Sequence, residues 1–344
     1  MNKILCFLAI IFLPVSGLYA ASEEDFKLDV IDTIKDHTAF NEITVLDLRS
    51  NKADLGYLKL GPLNKKVMLV PKEGFTEMLE QFAKQTTQQA TSKGNAILLI
   101  VVRDFTLTDR PTGGEMGTFY ARMDFYLGSQ DRFIHQLHID SLFETANGWD
   151  VTKNVRRIAA QKTTNWLKRM AGNATRELSG TTMTKAEITV DITQENKIYP
   201  VYSEVQKKGV YYTLEEFLNN TPGDTAFVQR DDFMDGRKIS YFYKKEEGKR
   251  RGADLDKIPC YAVYNGQKWF KKTSYGLTLM KYRDGDFYFP EVGQGLRAND
   301  DVAIMFGLVG ALVAAGTSGS KGNALYNIRL DPKTGGGFCT ERLR

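Results

Sequence analysis

Ala96-Ile97-Leu98-Leu99-Ile100-Val101-Val102 is a nearly unbroken apolar run that leads into Arg103-Asp104-Phe105. So short a continuous run reads as a strand buried on both faces, fit for the middle of a sheet. Just upstream, Phe75, Met78, Leu79, Phe82, Ala83 and Ala90 recur at helical spacing, and Lys93-Gly94 supplies a stop. That spacing predicts an amphipathic helix of about four turns. Further upstream, Ile43-Thr44-Val45-Leu46-Asp47-Leu48-Arg49 alternates like a strand, and Leu55 to Leu60 gives another. Downstream, Thr118 to Leu127 and Arg132 to Ile139 read as strands, and Val155, Ile158, Ala159, Trp166, Leu167 and Met170 mark a second long helix. The order ββαβββα predicts an α+β fold with two helices packed on one face of a single sheet.

Periodicity then fails. Ala171-Gly172-Asn173-Ala174-Thr175 and Ser179-Gly180-Thr181-Thr182 carry no apolar repeat, so residues 171–186 read as a linker between a first domain, 22–170, and a second, 187–344. The second domain is expected to be mostly antiparallel β. Its short Tyr-, Phe- and Val-rich runs are separated by Asp235-Gly236, Asn265-Gly266 and Asp284-Gly285, pairs that accept positive φ in tight hairpins. One short helix is expected, opened by Thr213-Leu214-Glu215-Glu216 as a capping box and ended before Pro222.

The chain starts with a polar region holding Lys3, an apolar run from Ile4 to Leu13, a Pro14-Val15-Ser16-Gly17 break, and the small residues Ala20 and Ala21. These are the parts of a secretory signal peptide, residues 1–21, cleaved after Ala20 or Ala21. The expected location is therefore outside the cytoplasm, in the periplasm or at the outer membrane. Cys6 follows Leu5 near the beginning of the apolar run, whereas a lipidated cysteine follows a small residue at its end.

Two resemblances agree with export. Leu46-Asp47-Leu48-Arg49, the following Leu55-Gly56-Tyr57, the single helix, and the strand ending Arg103-Asp104-Phe105 give residues 40–170 a pattern that resembles the ABC-type transport auxiliary component family and its envelope-lipoprotein relatives. That resemblance implies a non-enzymatic adaptor at the periplasmic face of an envelope transport system, though the family's lipidated cysteine is not matched here. The stretch Gly209-Val210-Tyr211-Tyr212-Thr213-Leu214-Glu215-Glu216-Phe217-Leu218-Asn219-Asn220-Thr221-Pro222 resembles a signature, G-x-Y-x-T-x-E-E-F-x-N-N-x-P, of uncharacterised secreted proteins of Gram-negative envelopes. It brings no catalytic residues with it.

Within and just beyond the apolar run Val302 to Gly316, Ala303, Gly307, Ala311, Ala315 and Gly319 fall four apart, a glycine-zipper pattern that on a helix would let another helix approach closely. The run is shorter than the roughly 20 apolar residues that cross a bilayer. Segment 302–319 is therefore either a helix buried in the domain, a membrane or self-association element, or a loop. Maturation would leave Cys260 and Cys339, either bonded to each other or present as one buried and one exposed thiol.

No catalytic, cofactor or metal site is assigned. The net charge of +4, from 46 basic against 42 acidic residues, is spread along the chain, so nucleic acid is not an expected partner. His135 and His138 lie in a strand where simple alternation sends them to opposite faces, and His37 stands alone. Gly316-Thr317-Ser318-Gly319-Ser320-Lys321-Gly322 lacks the Ser or Thr that follows a phosphate-loop lysine. The pairs Asp231-Asp232 and Asp300-Asp301 sit in turn-like contexts. The expected function is a non-enzymatic envelope protein, an adaptor or binding component whose partner is an envelope protein or a membrane surface. The alternative is a secreted hydrolase acting on glycan or peptide, which requires a deep cleft lined by two carboxylates about 5–10 Å apart.

Overall fold

A computed structural model describes residues 22–60, 65–111, 115–146, 151–172, 180–234, 237–248, 252–274, 276–293, 296–297, 324–333 and 335–343. The signal segment and the zipper residues Ala303, Gly307, Ala311, Ala315 and Gly319 lie outside the described residues. The first half runs β1 (Ser22–Asp25), β2 (His37–Asp47), β3 (Gly56–Leu60), β4 (Lys65–Val70), α1 (Phe75–Thr87), β5 (Ser92–Pro111), β6 (Glu115–Ser129), β7 (Arg132–Ala146) and α2 (Val151–Gly172). The second runs β8 (Thr182–Met183), α3 (Lys185–Gln194), α4 (Pro200–Ser203), β9 (Gly209–Tyr211), α5 (Leu214–Leu218), β10 (Phe227–Met234), β11 (Arg237–Lys244), β12 (Ala262–Tyr264), β13 (Trp269–Thr273), β14 (Gly276–Arg283), β15 (Asp286–Gly293), β16 (Leu296–Arg297), β17 (Ala324–Leu330) and β18 (Gly337–Arg342).

The fold is α+β, as the pattern of periodicities predicts. β5 is the spine of a nine-stranded mixed sheet, ordered β1-β4-β3-β5-β6-β7-β16, in which β2 also pairs with β5 and β8 with β7. Its apolar run does serve both faces. Leu98, Ile100 and Val102 pack against α1 and α2, while Leu99 and Val101 pack on the opposite face with Tyr126, Phe133 and Ile188. Both helices lie on one face, α1 through Phe75, Met78, Leu79 and Phe82, α2 through Val155, Ile158, Trp166 and Leu167. Four strands precede α1 rather than two. β1, Ser-Glu-Glu-Asp, has no apolar residue to reveal it and is held by parallel backbone pairing to β4.

α2 lies so close to β6 that only a hydrogen fits beneath it. A Cβ built on Gly117 would meet Val155 Cγ2 at 1.9 Å and Val151 Cγ1 at 2.6 Å.

The second half is built on an antiparallel sheet, β9-β12-β13-β14-β15-β17-β18, with β10 and β11 forming a separate hairpin. The β14–β15 turn places Asp284 at φ 53 and Gly285 at φ 82, the positive values a two-residue hairpin needs. Tyr211, Ala262, Trp269, Phe287 and Ile328 pack on one face, and Val210, Val263 and Phe270 on the other. Cys260 and Cys339 are not bonded: Cys260 belongs to the second of these clusters and Cys339 packs against the first, so the sheet separates them. Burial pushes the Cys260 thiol up to about 11 and that of Cys339 to about 12.

Thr213 caps α5 by accepting from the Glu216 amide at 3.1 Å, as expected, but Glu216 reaches one residue further back, to the Tyr212 amide at 2.5 Å. Within the stretch read as a linker, Thr182–Met183 pairs with β7 and α3 begins at Lys185 behind a full capping box of Thr184 and Glu187.

Gly117→Ala is expected to destabilise the protein by about 1–3 kcal/mol, because the added methyl forces a branched core side chain aside. Urea denaturation of the two proteins measures it.

Candidate functional site

In β6, Phe119, Ala121, Met123, Phe125 and Leu127 point to the helices, so Tyr120, Arg122, Asp124 and Tyr126 point the other way, toward the second half of the chain. Two bulges in the flanking strands add to that face. In β5 the pairing slips between Val102 and Asp104, so Arg103 and Asp104 both face the seam while Phe105 and Leu107 return to the helix side. In β7 the pairing slips at Gln136, opposite Phe125 and Tyr126. The extra residue resets the alternation. His135 and His138 therefore share one face, contrary to the simple strand reading, and both bond to the same oxygen, Asp124 Oδ1, at 3.0 and 2.7 Å.

The seam is apolar at both ends and charged between them. At one end Tyr120 and Leu142 join the core of the second sheet. At the other, Ile188 of α3 packs on Leu99, Val101 and Phe133. Between them Arg122, 5% exposed, bonds Glu195, lies 3.2 Å from Asp286 and has its Nε 3.6 Å from Asp140. Arg329 of β17, 3% exposed, bonds Asp140 and lies 3.8 Å from Asp286. Arg103 holds Glu195 through both of its terminal nitrogens. Tyr120 donates to Asp140 at 2.9 Å, and across the same seam Tyr326 donates to Glu144, also at 2.9 Å.

Burial alone would raise the carboxyls here, and partners decide which escape. Asp124 is held far below the usual carboxylate range, because hydrogen bonds from His135 and His138 and the Arg103 charge outweigh its desolvation. Glu195 is likewise lowered by Arg103 and Arg122 against its own burial. Asp104 does not escape. Desolvation lifts it to about 6, against the attraction of Arg122 and Arg329 and with the help of Asp140 and Asp286.

Asp104 opens onto a cleft of about 200 Å³ between β5–β6, the α3–α4 segment and the β14–β15 turn. Glu195, Asp286, Tyr202, Tyr282 and Tyr288 line it as well. Four carboxylates thus reach the cleft. Glu195 and Asp286 are committed to arginines, Asp284 is exposed on the turn at the mouth, and Asp104 forms no ion pair among the described residues. Tyr202 is 7% exposed, and its hydroxyl is buried without a hydrogen-bond partner.

Among the described residues, no group of three or more His, Cys, Asp and Glu side chains is arranged to hold a metal ion, and no helix is long and apolar enough to cross a membrane. Asp231 and Asp232 lie in β10, with Asp232 on Arg230. Lys271 is buried under the Tyr261 ring and donates to the Lys272 carbonyl; desolvation brings it down to about 8.

No family model and no curated protein matches the sequence. Among solved structures, the chain is similar to an uncharacterised protein at 10% identity and a TM-score of 0.26, over 44% of this chain and 98% of that one. It is also similar to a protein from Xanthomonas campestris of the family DUF330, at 12% identity and a TM-score of 0.25, over 44% of this chain and 94% of that one. Likenesses this remote bring no function with them.

Two outcomes test this description. Arg329→Met leaves Asp140 and Asp286 to share Arg122 alone and is expected to cost roughly 3–5 kcal/mol, part of which Asp140→Asn in the same chain restores. Denaturation of the single and double variants reads the coupling. Asp104 takes up its proton more readily folded than unfolded, so its ionisation opposes folding, and that penalty grows from about pH 4 and is complete above about pH 6. Asp104→Asn is therefore expected to raise stability by about 1–3 kcal/mol at pH 8 and to change it little near pH 4, in paired melting curves.

Proposed function

We propose that this protein is an exported, non-enzymatic binding component of the cell envelope and that the seam cleft is its binding site. The carrying observation is the cleft's inventory: one interior carboxyl without an ion pair, one buried hydroxyl without a partner, and three tyrosines beside arginines that are already neutralised. A pocket whose wall mixes aromatic rings with a few uncommitted polar groups suits a small ligand.

A hydrolase needs two carboxyl groups with separate roles on either side of the scissile bond. Here Asp104 is raised to about 6, as a general acid would be, but its neighbours Glu195 and Asp286 are spent on arginines, and the remaining candidate is an exposed turn residue. Export is supported by the order of polar start, apolar run and small residues in 1–21, and the envelope by the two resemblances. Val190 and Ile198, both exposed, lie on the α3–α4 segment, other residues of which wall the cleft, and the exposed Val205 follows α4; they give a partner apolar surface to meet.

Fractionation of cells producing the full-length chain tests the location. The expected result is a processed protein beginning near residue 21 or 22 in the periplasmic or outer-membrane fraction. An unprocessed chain in the cytoplasm overturns the reading.

A further inference from the structure

The buried charges at the seam do not balance. Three guanidiniums, Arg103, Arg122 and Arg329, face five carboxylates: Asp104, Asp124, Asp140, Glu195 and Asp286. His135 and His138 serve Asp124. The three arginines bridge Glu195, Asp140 and Asp286. The carboxylate left over is Asp104, and it is the one that opens on the cleft. A desolvated carboxylate without an ion pair must take a proton or a cation.

The walls select the kind of cation. Tyr202 and Tyr282 stand 6.1 Å apart at 64° on one side of the cleft, and Tyr288 lines it as well. A guanidinium already uses such a ring: Arg283 lies 4.4 Å from the centre of Tyr288. Aromatic faces beside a carboxylate attract organic ammonium groups through the ring quadrupole, and they add apolar contact that a hydrated metal ion does not use. The exposed Asp284 and Lys197, which also line the cleft, offset each other, so the sign of the interior is set by Asp104. A volume of about 200 Å³ admits a small molecule.

We propose that the seam cleft binds a small organic cation, its ammonium group paired with Asp104 and hydrogen-bonded to the free hydroxyl of Tyr202, its alkyl part against Tyr282. This deepens the reading of the cleft as a binding site and rests on it.

Calorimetric titration of the processed chain with n-butylammonium tests the proposal, with n-butanol, butyrate, sodium and magnesium as the comparison probes. Saturable binding of n-butylammonium is expected, at least about tenfold tighter than n-butanol. It is expected to be lost in Asp104→Asn and weakened severalfold in Tyr202→Phe and Tyr282→Ala, with circular dichroism showing each variant folded. Tyr202→Phe removes only one unpartnered hydroxyl, so it keeps the test usable if another variant fails to fold. Equal binding of n-butanol, or sodium or magnesium displacing n-butylammonium at similar concentration, overturns the organic-cation proposal. If butyrate or n-butanol binds instead and depends on Tyr202, the ammonium assignment falls and the binding site stands. If no probe binds and Tyr202→Phe only stabilises the fold, the cleft is a packing gap and both readings fall.

Discussion

Arg122 is the group on which the two halves of the molecule turn. It leaves the sheet of the first half, passes out of water, and meets Glu195 of the α3–α4 segment and Asp286 of the second sheet together. A guanidinium buried so completely is tolerable only with such partners, because the desolvation of an unpaired ion costs several kcal/mol. The same condition binds Arg329 from the opposite side, through Asp140. Each half thus carries an ion whose nearest partners lie in the other, and any different seating of the sheets strips it of them. What such a network contributes is correct placement more than net stability, since its Coulombic gain is largely consumed by desolvation. Apolar clusters at the two ends of the seam, around Tyr120 with Leu142 and around Ile188, supply the burial that holds it shut.

The charged face exists because two strands break step. Plain alternation in β5 would put Arg103 and Asp104 on opposite faces, and in β7 would do the same to His135 and His138. Each bulge returns a charged or polar side chain to the seam and restores the apolar alternation on the helix side. One sheet can therefore have a hydrocarbon face under α1 and α2 and an ionic face a single strand's thickness away. The close contact of α2 over Gly117 shows how little slack the hydrocarbon face has, so adjustments of register fall to the other side.

Much of the fold was legible in the sequence. The run from Ala96 to Val102 identified the spine, and the spacings at Phe75–Phe82 and Val155–Met170 gave both helices and their common face, because burial on one side leaves a periodic trace. β1 left none, as it contains only Ser, Glu and Asp. α3 could have been found: Thr184-Lys185-Ala186-Glu187 is a capping box, hidden by its position in a stretch read as linker. The candidate site was not legible. Arg122 and Asp124, alternating with Ala121, Met123 and Phe125, look like the wet side of a half-buried strand, and no local pattern says that another sheet covers them. The bulges are equally silent, since a single extra residue changes the face of every later side chain without changing composition. The cysteines show the same limit, because spacing along the chain does not say which face of a sheet a thiol occupies.

The position of the cleft follows from these constraints. A seam of fixed charges can be neutral everywhere only if each carboxylate finds a cation at bonding distance in the one seating the apolar ends allow. At Glu195, Asp140 and Asp286 it does. At the edge, where the bulge delivers Asp104 beside the β14–β15 turn, the opposing surface offers tyrosines, and the one lysine lining the cleft, Lys197, is exposed and forms no ion pair with Asp104 among the described residues. Replacing Asp104 by a neutral residue would balance the seam better, so its carboxyl is a cost to the folded state at neutral pH. Costs of that kind persist at positions where a ligand, rather than the fold, is the partner.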